Sequence, residues 1–161
     1  VICTNKDPQN RKTIFQLLPK NFSRVISIGR LDFMSEGLLL LTNNGDFARK
    51  LELPSSNITR VYKVGIKGKV SKKIFSEINK GLTIKGIKYK RINVKTFSSN
   101  KNLTWLIFKL QEGKNREIRN ICKNFNWEIV KLIRIQFGSI KLSELNIGEI
   151  VEIKKFSIDL C

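Results

Sequence analysis

Two stretches of the sequence hold residue types at spacings that could do chemistry. In Gly29-Arg30-Leu31-Asp32 a strand-like run, Val25 to Gly29, ends and a carboxylate stands just past it. Catalytic groups often sit on loops held by a rigid scaffold. An aspartate there also caps turns, and on spacing alone that role outweighs the chemical one. Asp32 nevertheless lies between two apolar segments, so it is expected to be partly desolvated and to need a cationic partner. The second stretch is the helix expected from Glu112-Gly113 to about Phe125. On a 3.6-residue period Ile118, Ile121, Cys122 and Phe125 share one face, and Arg116, Arg119 and Lys123 share the other. Three cations in one stripe form either a solvated face or a phosphate or carboxylate site. Glu117 and Glu128 are the acids nearby, and they do not balance the stripe.

A third candidate is Tyr62 in Thr59-Arg60-Val61-Tyr62-Lys63-Val64. A strand aromatic is usually core. Flanked by Arg60 and Lys63, it also suits a base-stacking position bordered by phosphate contacts.

The rest of the composition narrows the chemistry. The 161 residues contain no histidine, which removes Ser-His-Asp and Cys-His nucleophile systems and histidine-bearing zinc sites. The three cysteines, Cys3, Cys122 and Cys161, form no CxxC pair, so no metal site and no disulfide framework is expected. Reduced thiols in a cytosolic compartment are the simplest reading. The longest aliphatic run, Leu38 to Leu41, is far below the ~18 residues of a membrane span. Thirty-one Lys and Arg against thirteen Asp and Glu give a net charge of +18, and such a chain seeks a polyanion.

These residues need elements to position them. Thr13–Leu18 reads as a short helix stopped by Pro19, after an opening strand and turn over residues 1–12. Strands are expected at Val25–Gly29, Leu38–Thr42, Ile58–Lys67, Lys88–Phe97, Leu103–Leu110, Trp127–Phe137 and Ile150–Ile153. Helices are expected at Asp46–Leu51 and from an N-cap at Ser71 to Asn79, ended by Gly81. Gly138 to Asn146 reads as a loop with a short turn, and Trp105 and Trp127 are assigned to the core. Adjacent strands with few helices between them argue an α+β fold, a mixed and mostly antiparallel sheet flanked by a few helices. No linker divides residues 1–161, so one domain is expected.

Together the motifs resemble the bacterial ribosomal RNA pseudouridine synthases. Gly29-Arg30-Leu31-Asp32 with Ser35-Glu36-Gly37-Leu38-Leu39-Leu40-Leu41-Thr42-Asn43-Asn44-Gly45 is similar to the family's active-site motif. Arg60-Val61-Tyr62-Lys63-Val64 and Glu112-Gly113-Lys114-Asn115-Arg116-Glu117-Ile118-Arg119 are similar to its second and third motifs. Leu132 to Gly138, then Leu142 and Gly148-Glu149, also fit. The resemblance implies the pseudouridine synthase fold, with Asp32 as the catalytic aspartate, Tyr62 stacking on the target base and Arg119 paired with Asp32. Arg30, Arg60, Lys63, Lys114, Arg116 and Lys123 would contact RNA. Family members often carry Thr where Ser35 stands and Asp where Asn44 stands.

The reaction so implied turns uridine into pseudouridine without redox, hydrolysis or cofactor. The expected partner is ribosomal RNA or a ribosomal subunit precursor, with the large subunit favoured over the small. A cytoplasmic monomer is expected, with no membrane association. The small RNA-binding domain that precedes many such catalytic domains is expected to be absent, with Val1-Ile2-Cys3-Thr4 and Asp7-Pro8-Gln9 marking where the catalytic domain begins. A non-catalytic RNA-binding or ribosome-assembly protein on the same fold is the rival, but it would not need Asp32 and Arg119 together.

Overall fold

The computed structural model describes residues 3–4, 7–20, 22, 24–143 and 145–153. Its centre is a sheet in the order β10-β9-β4-β8-β7, built from β4 (Arg60–Lys67), β7 (Asn93–Ser99), β8 (Thr104–Leu110), β9 (Glu128–Phe137) and β10 (Ile140–Lys141). All these pairings are antiparallel. The two-residue strand β2 (Glu36–Gly37) joins β9 in parallel. The sheet is therefore mixed and mostly antiparallel, as expected from adjacent strands with few helices between them.

Period-two alternation gives the sheet a dry face. Val64, Ile66, Leu106 and Phe108 have essentially no exposure, and each contributes ~1.5–3 kcal/mol by leaving water. Against them pack α2 (Lys72–Lys80), through Ile78, and α3 (Glu117–Asn124), through Ile118, Ile121 and Cys122. Ser71 caps α2 by accepting the Ile74 N–H, and Gly81 closes it at φ +90°.

A smaller core holds the hairpin of β1 (Ile26–Ile28) and β3 (Leu40–Thr42) against α1 (Gly45–Glu52). Ile28, Leu38, Leu40, Leu51, Ile58 and Phe137 fill it. Asn44 starts α1 by accepting the Phe47 N–H at 2.9 Å.

Several expected elements differ. The third helix opens at Glu117, not at Glu112-Gly113, because Arg116 has a left-handed backbone (φ +51°) and residues 112–116 stay a loop. Lys88–Phe97 is broken into β6 (Ile87–Tyr89) and β7, with Ile92 between them turned into the core. β6 pairs with β5 (Leu82–Ile84) through a turn at Lys85-Gly86. β10 lies where a loop was expected. Ile150–Ile153 forms no strand: Ile150, Val151 and Ile153 are 40–58% exposed, and among the described residues no strand pairs with them. Part of the expected opening strand falls outside the described residues, and those of 3–12 that are described form none. Trp127 is core, but Trp105 is half-buried on the sheet's other face, where the Lys63 ammonium stands 5.0 Å from its ring.

Candidate active site

A cleft of about 350 Å³ opens where the small core meets the large one. Its walls are the Gly29–Asp32 loop, the start of α3, the start of β4, the end of β8 and the middle of β9. Asp32, Tyr62 and Arg119, three residues far apart in sequence, all line it.

The Asp32 loop is fixed from four sides. Glu52, at the end of α1, accepts the Gly29 N–H at 2.7 Å. A tight turn follows, in which Ser35 N–H donates to the Asp32 carbonyl at 2.9 Å. Arg119 closes the turn from above: its Nη2 donates to Met34 O at 2.7 Å and Ser35 Oγ at 3.0 Å. The chain is then tied to β9. Leu38 N–H donates to Arg134 O at 2.8 Å, and Arg134 Nε donates to Leu38 O at 2.8 Å. Gly37 makes this approach possible: a Cβ there would lie 2.3 Å from Arg134 O, at φ +105°. Further out, Arg11 stands over the Phe33 ring at 5.6 Å and is itself held by Asp7 at 2.8 Å.

Two expectations change here. Asp32 is exposed, not partly desolvated. Among the described residues, the ion pairs do not join Arg119 to Asp32. Arg119 grips the backbone that follows Asp32, so its influence on the carboxylate is through position and through charge at longer range. Burial lowers the Arg119 pKa first, the Arg116 charge lowers it further, and the Asp32 charge opposes both.

Tyr62 and Arg60 project from β4 on the cleft side. Lys63, next in the strand, points to the opposite face, with its Nζ 4.5 Å from the Phe97 ring centroid. Lys63 is thus not a cleft residue, and neither is Lys123. Arg30, Arg60, Lys114 and Arg116 do line the cleft. Arg60 donates to the carbonyls of Ile58 and Gln111, and its guanidinium stands 5.0 Å from the Phe137 ring. Burial pushes its pKa below the usual arginine range, with Tyr62 raising it and Arg134 lowering it.

Two cleft residues escaped the sequence reading. Arg134 is 2% exposed, with its guanidinium 5.4 Å from the Phe137 ring. A lone arginine inside the apolar run Leu132 to Phe137 was the available signal. Glu117 is 4% exposed, and its Oε2 accepts the Lys114 N–H at 3.0 Å. Burial pushes its carboxyl up to about 7. Burial also pushes the Cys122 thiol up to about 12, so it is neutral and takes no nucleophilic part. Among the described residues, no group of three His, Cys, Asp or Glu could hold a metal ion.

With this geometry in place, comparisons with known proteins give one answer. The model of the family described as RNA pseudouridylate synthase matches residues 1–124. An uncharacterized RNA pseudouridine synthase of Rickettsia felis is 50% identical over 153 residues, covering 95% of this chain and 66% of that protein. The ribosomal large subunit pseudouridine synthase B of Buchnera aphidicola subsp. Baizongia pistaciae is 38% identical, covering 99% of this chain and 65% of that protein. A pseudouridylate synthase crystal structure superposes with a TM-score of 0.82 at 22% identity, over 92% of this chain and 63% of that one, which establishes the shared fold. The chain spans about two thirds of the length of these relatives.

Proposed function

We propose the function from one premise: the chain belongs to the RNA pseudouridylate synthase family. Its reaction is the isomerisation of a uridine in ribosomal RNA, of the large subunit, with Asp32 as the catalytic carboxylate. The observation that carries this reading is the clamped loop, which presents Asp32 at the rim of a cleft that also holds Tyr62 and Arg119. The Buchnera relatives named for the large ribosomal subunit support the choice of subunit.

The steps follow from the residues. The target uridine leaves its stack, which costs a few kcal/mol and is eased in loops and bulges. Its base enters the cleft and stacks on Tyr62, while Arg30, Lys114 and Arg116 at the rim meet the flanking phosphates. Asp32 acts at the sugar or the base while the N1–C1′ bond breaks. The base turns and rejoins C1′ through C5; C5 gives up its proton and N1, freed from the sugar, takes one up. Atoms balance without a co-reactant. Arg119 is a positioning residue, because it sets the Asp32 loop without an ion pair to the carboxylate.

A cytoplasmic monomer acting on ribosomal RNA or a subunit precursor fits the charge of +18. Among the described residues, no helix is long and apolar enough to cross a membrane. The test is pseudouridine mapping by carbodiimide labelling of ribosomal RNA from cells with and without the gene. One uridine should lose its signal in the deletion and regain it with the wild-type chain but not with Asp32→Asn. An unchanged map would overturn the reading.

A further inference from the structure

A second cavity, of about 390 Å³, lies at the same end of the sheet as the cleft but on the opposite face. At the start of β4, Thr59 lines the outer cavity and Arg60 the cleft. At the end of β8, Lys109 and Gln111 line the outer cavity and Leu110 the cleft. Alternate residues of a strand face opposite sides, so the two cavities stand back to back. Neighbouring residues serve both, and nucleotides flanking a uridine in the cleft come within reach of the outer one. Among the described residues the outer lining is polar throughout, with two cations, Arg91 and Lys109, and no acid.

From this cavity the outer face runs on in rows fixed by the strand register. Asn93, Lys109 and Val61 form one row, and Lys95, Ile107, Lys63 and Ile133 the next. In the row beyond, Trp105 stands opposite Gly65. A Cβ on Gly65 would lie 3.1 Å from the Trp105 ring, so the indole covers bare backbone there. β7 slips by one residue between Thr96 and Ser98, and the bulge turns Phe97 onto this face, 61% exposed. The Lys63 ammonium reaches both rings, 4.5 Å from Phe97 and 5.0 Å from Trp105. The nearby acids are taken up elsewhere, Glu128 by Lys67 at 3.6 Å and Glu36 by Lys131 at 3.3 Å. Among the described residues no ion pair joins Lys63, Arg91, Lys95 or Lys109.

Lysines on an edge strand guard against edge-to-edge pairing. That accounts for Lys95 on β7. It does not account for Lys63 and Lys109, which stand on the interior strands β4 and β8, and an exposed phenylalanine on the edge works against it. Unpaired cations around an exposed ring on an open sheet match a single strand of RNA, with phosphates for the cations and a base for the ring. We propose that the outer face is a second RNA-binding site, which takes a single-stranded segment flanking the target uridine. Arg91, Lys95 and Lys109 meet its phosphates, and a base stacks on Phe97. This rests on the RNA substrate proposed above. Stacking tolerates any base, so the site adds reach and affinity and leaves the choice of uridine to the cleft.

The test is binding to an RNA hairpin carrying the mapped uridine, either blunt or with a single-stranded extension of about eight nucleotides on the 5′ or the 3′ side. An extension of equal length built from abasic residues keeps the phosphates and removes the bases. One of the natural extensions should tighten binding at least about fivefold, the low end of what base–aromatic stacking supplies. Phe97→Ala should remove most of that gain and cost nothing on blunt or abasic RNA. Lys95→Ala combined with Lys109→Ala should weaken binding of the natural and the abasic extension, and leave single-turnover conversion of the blunt hairpin at saturating protein unchanged. All three side chains are exposed, so the fold should survive their removal, which thermal unfolding checks. The inference is overturned by no gain from either extension, as would follow if another segment of protein covered this face. A gain that Phe97→Ala retains, or an equal loss on blunt and extended RNA in the lysine variant, overturns it as well. A wild-type chain that gains from an extension but converts no uridine would instead overturn the activity and leave this site standing.

Discussion

The Arg119 guanidinium lies 2.7 Å from the Met34 carbonyl oxygen, and that bond couples helix α3 to the turn that displays Asp32. Met34 has a left-handed backbone, φ +65°, which a non-glycine residue keeps only when its surroundings enforce it. Arg119 supplies that enforcement, since the same nitrogen also reaches Ser35 Oγ at 3.0 Å. Arg119→Ala should therefore free the turn. A hydrogen bond from a charged group is worth ~1.5–3 kcal/mol, so turnover should fall roughly 10- to 100-fold. Ser35→Ala, which leaves the carbonyl contact in place, should cost at most a few-fold. Single-turnover rates on one RNA decide this. An Arg119→Ala chain that turns over normally but binds RNA more weakly would make Arg119 a phosphate contact.

Asp32→Asn should abolish pseudouridine formation and leave RNA affinity intact or higher, because it removes one negative charge from a basic rim. No histidine in the chain can stand in for it. The check is product analysis of RNA digests beside a binding titration. Near-normal turnover would remove Asp32 from the chemistry.

What the sequence disclosed, and what it hid, divide by physical range. Asp32, Tyr62 and Arg119 became candidates through local pattern, a strand end, an alternating strand and a helical stripe, and the family resemblance selected them. Their meeting in one cleft required the fold. The Asp32–Arg119 pairing was misplaced because one-dimensional spacing cannot tell a carboxylate partner from the carbonyls two residues on. Arg134 and Glu117 stayed hidden because burial of a charged residue is a tertiary fact. On α3 the apolar stripe of Ile118, Ile121 and Cys122 gave the core face correctly. The left-handed Arg116 that fixes where the helix starts left no such periodic trace.

Gly37→Ala should unfold the site by sterics alone. The added Cβ would sit 2.3 Å from Arg134 O and 2.8 Å from Arg134 N, both backbone atoms that cannot step aside. β2 would have to leave β9, exposing Leu38 and breaking the Arg134–Leu38 pair of hydrogen bonds. A loss of at least ~3 kcal/mol is expected. Gly86→Ala is the control, since nothing lies within 4 Å there and only its φ of +79° opposes the change, at about 1 kcal/mol. Urea unfolding of the two variants should separate them clearly, and equal midpoints would contradict the packing described.

Glu117 makes a pH prediction whose sign is fixed. Burial is the chief reason its carboxyl rises from 4.5 to about 7; Glu112 adds to the rise, while the Lys114 N–H, the Lys114 charge and Arg60 oppose it. The folded chain then holds a proton that the unfolded chain releases. The stability this proton brings is fully present below about 4.5 and is lost as pH rises to about 7. A tenfold change in proton affinity is worth about 1.4 kcal/mol, so the loss is on the order of 1–3 kcal/mol. Glu117→Gln should flatten that slope and be the more stable chain at pH 8. Urea unfolding at pH 5 and pH 8 checks this. Parallel stability profiles in wild type and Glu117→Gln would remove the carboxyl from that pH window.

The last prediction concerns affinity. A charge of +18 on 161 residues, with Arg30, Lys114 and Arg116 at the rim of one cleft, should neutralise several phosphates on binding. Each releases condensed counterions, so log affinity should fall with log salt at about −0.7 per phosphate on single strands. That attraction carries little sequence information. Choice of uridine must come from RNA shape, from the ease of flipping, and from the cleft. Binding should be tight and poorly selective at low salt, and weak at physiological salt. Lys63 and Lys123, which lie outside the cleft lining, separate the two contributions. Lys123→Ala should weaken binding to every RNA alike and reduce the slope by less than one phosphate. Arg116→Ala should weaken binding and also slow conversion of the target. A salt titration against a target hairpin and a scrambled one gives both numbers. Strong discrimination retained at high salt would mean that direct base contacts dominate and that the basic surface is secondary.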